Sequence, residues 1–282
     1  MTQTAGTGTV DLAALRRADP DRYLAALYAP AGKRADLAAL YLFNAEIAAI
    51  RDRIREPLPG EVRIQWWRDA LAGGAEAAAG HPLALALHGA IARHDLPLDA
   101  FDRYLEARIF DLYDDPMPSR ADFEGYCGET ASALIQLSAL VLEPKAAPAF
   151  AAAAGHAGCA QAVAGLVRLM PLHLARGQCY VPGDILAAVG ASRDDLIAGD
   201  GEAAARALAA FVELGREHAA RFEAAARGMP VPLRPAFLPA ALARPCLERA
   251  AAAGASALRE TFDISPLRRR WVLLRRASRG WG

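Results

Sequence analysis

The chain has 282 residues, enough to bury a sizeable core in one large domain or two small ones. Hydrophobic residues make up 54% and charged residues 23%, which excludes an intrinsically disordered chain. Acids and bases balance at 32 each, so no global field draws the molecule to nucleic acid or to an anionic membrane.

Apolar residues recur at helical spacing nearly throughout, and period-two runs of β-branched or aromatic residues are absent. The pattern predicts helices over 11–29, 33–56, 61–79, 82–94, 97–115, 119–142, 146–175, 201–227, 234–253 and 265–277. Ser119 with Asp122, and Ser192 with Asp195, fit the cap-plus-acid start that satisfies the first free amides of a helix. Stops are expected at Pro57, Pro116, Pro144 and Gly228–Pro230, and the proline-rich run 228–246 reads as short helical turns. With no long linker and no repeat, the expectation is a single all-α domain over 1–282, with a flexible start over 1–19 and a basic segment over 266–282. Four cysteines, Cys127, Cys159, Cys179 and Cys246, lie far apart and read as buried thiols of a reducing compartment. The start MTQTAGTGTVDLAALRR lacks a charged region followed by an apolar run, and apolar stretches are broken by Gln136, Arg168 and His173 before reaching a membrane span. A cytoplasmic protein is the expectation. Only Lys33 and Lys145 are lysines, and this arginine bias with heavy alanine use suggests a GC-rich bacterial genome.

Three stretches carry a resemblance. The first is YAPAGKRADLAALYLFNAEIAAIRD over 28–52 with IQWWRDAL over 64–71; the second is YCGETASAL over 126–134. The third is GCAQAVAGLVRLMPLHLARGQCYVP over 158–182, with Gly158, Arg168, Gly177, Tyr180 and Pro182 in register. Together they resemble the squalene/phytoene synthase family over about residues 20–200. The resemblance implies an isoprenoid-synthase-like bundle of about ten helices around a central cavity.

In those synthases each of two facing helices carries an Asp-x-x-x-Asp pair, whose spacing puts both carboxylates on one helix face. Magnesium, a hard ion that favours oxygen ligands, is held there and stabilises the departing diphosphate. Here the first pair falls on Ala48 and Asp52, so Asp52 is the one retained acid. The second falls on Leu169 and His173, and imidazole suits zinc, copper or nickel better than magnesium. No metal site is therefore expected, and magnesium enters only with an alternative reading, a condensing prenyltransferase with a reduced metal site. Arg34, Tyr41, Asp52, Arg168 and Tyr180 keep matching residue types. With His173 they are the candidate ligand-binding residues for a prenyl diphosphate or other isoprenoid lipid. His173 is also the candidate base should another reaction be catalysed.

Phe43-Asn44 with Glu46, Gln65 with Trp67, and Arg168 to His173 resemble the synthase-like assembly factors of respiratory complex I. That branch implies a non-catalytic role near the respiratory membrane, with complex I subunits as partners. Of the adjacent Trp66 and Trp67, one should be core and the other partly exposed. His81, His88 and His94 should be exposed near helix ends. The small-residue stripe Gly155, Gly158, Ala162 and Gly165 reads as close packing or as a cavity wall. The end PLRRRWVLLRRASRGWG carries six arginines and no acid. It reads as a peripheral membrane contact or acidic-partner site, or as a solvated helix packed through Trp271 and Leu274.

Overall fold

Proline and glycine set most helix boundaries in the computed structural model, which describes residues 11–281. All regular structure among the described residues is helical, as the periodicity predicts. Contacts divide the chain into two compact units, Met1–Tyr113 with Gln136–Pro148 and Asp114–Ile135 with Ala149–Gly282.

The first unit opens with α1 (Leu12–Ala18) and α2 (Pro20–Leu27), two helices where one was predicted. Pro20 disfavours helical backbone at the residue before it. Asp19 accordingly sits at φ −146° and caps α2, accepting from the Arg22 amide at 2.9 Å. Residues 12–18 of the start expected to be flexible are thus helical, while residues 1–10 lie outside the described residues. Next come α3 (Arg34–Ala48), α4 (Pro57–Ala72), the single turn α5 (Gly74–Ala77), α6 (Pro82–His94) and α7 (Leu98–Ile109). The helix predicted over 33–56 ends eight residues early. A separate 3-10 turn, Arg51–Arg53, follows it, and Glu56 is extended ahead of Pro57. Pro57 starts α4 where a stop was expected, because the first turn of a helix has no use for its missing N–H. The core of this unit is aromatic: Phe43 meets Trp67 at 5.0 Å, Tyr104 at 5.3 Å and Phe101 at 5.8 Å. Trp67 is buried and Trp66 partly exposed, as predicted for the pair.

In the second unit α8 (Arg120–Cys127) begins at the predicted Ser119 cap and runs into a π-helical turn, Gly128–Ser132. The helix α9 (Ala133–Leu142) follows, and its residues from Gln136 onward belong to the first unit. Then come α10 (Ala151–Arg168) and α11 (Met170–Leu174), again two helices where one was predicted. Pro171 explains the break, since it has no N–H to give the Val167 carbonyl and its ring clashes with that group. Leu169 takes up the break at φ −101°, ψ 9°. The sequence α12 (Gly183–Ala188), α13 (Arg193–Ala198), α14 (Gly201–Ala225), α15 (Arg234–Phe237), α16 (Ala243–Ala253) and α17 (Pro266–Arg279) completes the unit. Ser192 forms the predicted capping box with Asp195, and 231–242 is the expected run of short turns.

The helix α10 packs against α14, α16 and the π turn. Two glycines permit the close approach. A Cβ on Gly158 would lie 2.5 Å from the Ser132 amide nitrogen, and one on Gly215 would lie 2.8 Å from Val163. Gly155 and Gly165 have nothing within 4 Å of a built Cβ, so of the three glycines in the small-residue stripe only Gly158 is closely packed. By length and composition the stretch Ala147–Arg168 would suffice to cross a membrane, contrary to expectation, because its first charged residue is Arg168. Half of it is buried within the molecule, as befits a core helix. All four cysteines are buried thiols.

Candidate functional site

Neither acid-motif position keeps the geometry that the spacing implied. Ala48 is the last residue of α3, and Asp52 lies beyond it in the exposed 3-10 turn. The two therefore do not share a helix face. In the second unit Leu169 occupies the break between α10 and α11, and His173 lies within α11. The His173 ring stands edge-on to Tyr180 with centroids 5.3 Å apart, and its Nδ1 is 3.5 Å from Gln178 Oε1. These residues do not fit a pair of magnesium ions: one acid is exposed on a separate turn, and the other motif offers only an alkyl chain and an imidazole. Among the described residues no group of three or more His, Cys, Asp and Glu side chains is arranged to hold a metal.

Of the six candidate residues, three belong to the first unit and they are spread along it. Arg34 begins α3 and donates to the carbonyls of Ala29 and Leu27, both at 2.9 Å, so it caps the end of α2. Tyr41 lies two turns along the same helix, buried, with the Arg22 guanidinium 5.8 Å from its ring centre. Burial pushes its phenol pKa up, against the opposing influence of the Ser138 hydrogen bond and the Arg22 charge. In the second unit Arg168 ends α10, half-buried, and has no hydrogen bond or ion pair among the described residues. His173 and Tyr180 line one pocket with Met170, Leu174, Gln178 and Phe211.

The sequence reading missed a polar chain through the second unit. Arg120 forks both terminal nitrogens onto Glu217 at 2.9 Å and gives Nε to Glu124 at 2.6 Å. Glu124 also accepts from Nε2 of the buried His218 at 3.1 Å, and His218 Nδ1 lies 3.1 Å from Nδ1 of His156. Cys159 adjoins this chain, hydrogen-bonded by Cys127 and His218. The Cys127 bond, then that of His218 and its charge, overcome burial and hold the Cys159 thiol down to about 6. Burial opposes charge on His218, but its bonds to Cys159 and Glu124 outweigh that and raise its pKa. Burial and the His218 charge lower that of His156. These opposite shifts favour the protonated form of His218 and the neutral form of His156. Cys127 sits three residues after Glu124, and Cys159 three after His156, so each pair shares a helix face. That much was visible in the sequence; the meeting of α8, α10 and α14 was not.

The first unit holds a second polar cluster. The buried Asp36 accepts from Arg93 at 2.5 Å and from His94 Nε2 at 2.7 Å. Burial opposes ionisation of Asp36, yet these bonds lower its pKa. The three histidines expected to be exposed are all engaged: His94 here, His88 on the Ala70 carbonyl at 2.7 Å, and His81 as cap of α6. A sequence shows their closeness to helix ends but not the carbonyls and acids waiting for them.

The family model described as squalene/phytoene synthase matches residues 15–275. Complex I assembly factor 6 of NADH dehydrogenase (ubiquinone) from Bos taurus is 31% identical over 239 residues, covering 83% of this chain and 71% of that protein. The Homo sapiens protein of the same name is 30% identical over 238 residues, covering 83% and 70%. Among solved structures, a dehydrosqualene synthase in complex with ligand superposes with a TM-score of 0.76 at 17% identity, covering 93% of this chain and 92% of that one. The squalene synthase HpnC of Alicyclobacillus acidocaldarius gives 0.71 at 22%, covering 86% and 92%.

Proposed function

The chain belongs to the squalene/phytoene synthase family, and from that premise we propose that it is a non-catalytic member that serves assembly of respiratory complex I. The observation that carries the proposal is the state of the two acid motifs. Three of the four positions, Ala48, Leu169 and His173, hold no carboxylate, and Pro171 breaks the helix on which the second motif would stand. Removing one group that stabilises charge in a transition state commonly costs ~10²–10³-fold in rate. The relatives named as complex I assembly factors support the reading, since they match over most of this chain. On this reading the protein works in a bacterial cytoplasm, peripheral to the inner membrane, with complex I subunits as partners. Any isoprenoid ligand is bound rather than converted. The half-buried Arg168, which has no side-chain partner among the described residues, would then be a donor for an anionic headgroup.

Two experiments test this. Deleting the gene from its host should deplete assembled complex I on native gels, and the intact gene should restore it; normal assembly in the deletion strain would overturn the proposal. Purified protein given farnesyl or geranylgeranyl diphosphate and millimolar magnesium should form no squalene, presqualene diphosphate or phytoene. Turnover near ~1 per second, a typical lower enzyme rate, would show instead a condensing prenyltransferase.

A further inference from the structure

The helix α17 has two faces that do different work. Its inner face is anchored: Leu273 is buried, and Trp281 beyond the helix packs on Phe222 at 5.2 Å. Arg234 donates to the carbonyls of Ala277 and Ser278 at 3.1 and 2.8 Å, closing the C-terminal end. Three of its arginines are committed to acids of the same unit: Arg268 to Glu248 at 3.2 Å, Arg269 to Asp263 at 2.5 Å and Arg276 to Glu223 at 2.8 Å.

The outer face is the reverse. Leu267, Trp271 and Leu274 follow one another at spacings of four and three, so they form one stripe along the helix. They are 78%, 64% and 49% exposed. This decides against the packed alternative: the helix is held through Leu273, and Trp271 and Leu274 face solvent. Arg270 and Arg275 lie on either side of the stripe and Arg279 beyond its end; all three are exposed and none has an ion pair among the described residues. The helix itself carries no acid.

We propose that this outer face of α17 is a docking surface for an anionic lipid bilayer, with Leu267, Trp271 and Leu274 entering the interface and Arg270, Arg275 and Arg279 contacting phosphate headgroups. Three observations favour a membrane over a protein. The exposed apolar side chains lie along one face of a single helix, in a line suited to a plane. A tryptophan between arginines matches the chemistry of the headgroup boundary, where an indole finds both apolar contact and water. The unpaired charges are all of one sign and complement an anionic surface. Because the inner face is pinned by ion pairs and a capped end, the stripe cannot turn inward. The surface is there before the membrane arrives. The inference does not depend on the assembly role, since a protein can bind vesicles and assemble nothing.

The test is cosedimentation of the full chain with vesicles of phosphatidylglycerol and phosphatidylcholine, set against pure phosphatidylcholine. Binding to the anionic vesicles alone is expected, weakening as salt rises, because the field is screened within about 10 Å at 0.1 M. Each neutralised arginine should lower the partition constant on the order of fivefold, from the roughly 1 kcal/mol each contributes near such a surface. The triple change Arg270→Gln, Arg275→Gln, Arg279→Gln should therefore nearly abolish binding, and Trp271→Ser should weaken it at every salt concentration. All four positions are exposed, so unfolding is not at issue, and unchanged melting confirms that. Absence of binding to anionic vesicles, equal binding to neutral ones, or full binding by the triple variant would each overturn the proposal.

Discussion

Replacing Gly158 by alanine tests the packing on which the second unit depends. A Cβ there would lie 2.1 Å from Ser132 Oγ, 2.5 Å from its amide nitrogen and 2.7 Å from its Cα. Two of these three atoms are backbone, so a side-chain rotation cannot relieve the clash. Overpacking of this kind costs ~1–3 kcal/mol. The hydrogen bond from Ser132 Oγ to the Gly155 carbonyl, 3.1 Å long, is then displaced at a further ~0.5–1.5 kcal/mol. Against this stands a gain of up to ~1 kcal/mol for alanine over glycine inside a helix. The net expectation is a loss of about 1–3 kcal/mol, read in urea unfolding as a lower midpoint with an unchanged slope. Adding Ser132→Ala removes the shortest contact but neither backbone one, so it should restore only a minor part. Gly155→Ala is the contrast: nothing lies within 4 Å of its built Cβ, and the same exchange should stabilise by up to ~1 kcal/mol. A Gly158→Ala protein as stable as its parent, or one fully rescued by Ser132→Ala, would refute the close approach of α10 to the π turn.

Titration of the native chain should show a thiolate ultraviolet band rising through about 6, absent in Cys159→Ser. His218→Asn should move that rise upward, toward the ~8.5 of a free cysteine, and an unmoved band would deny the thiolate–imidazolium contact. Because the folded pKa of Cys159 is depressed, its stabilising contribution is complete above the ordinary thiol value and is lost as pH falls through about 6. Asp36→Asn should cost ~1–3 kcal/mol at neutral pH by leaving Arg93 and His94 without their carboxylate. The folded pKa of Asp36 is also depressed, so this cost should shrink as pH falls below the ~4 of an ordinary aspartate, and a pH-independent cost in urea unfolding would argue against an ionised Asp36.

Much of this protein is legible without a structure, because helices are specified locally. The 3.6-residue period gives an all-helical chain, and the caps at Ser119 and Ser192 stand where side-chain oxygens reach free amides. The losses at Ala48, Leu169 and His173 are visible by register against the family pattern. Even the break at Leu169 is a local matter, since Pro171 alone forbids a continuous helix; it was missed by following hydrophobic spacing past a proline. Tertiary structure decided what each side chain meets. Arg34 looked like a ligand-binding residue and proves to cap α2, because carbonyls of Leu27 and Ala29 lie within its reach. Glu124, Cys159 and His218 stand on three helices, and no spacing in one chain segment reports their meeting. For α17 the sequence supplied arginines, a tryptophan and leucines but no orientation. An amphipathic pattern says that two faces differ, whereas which face is buried depends on acids and carbonyls supplied by Glu223, Glu248 and the end capped by Arg234.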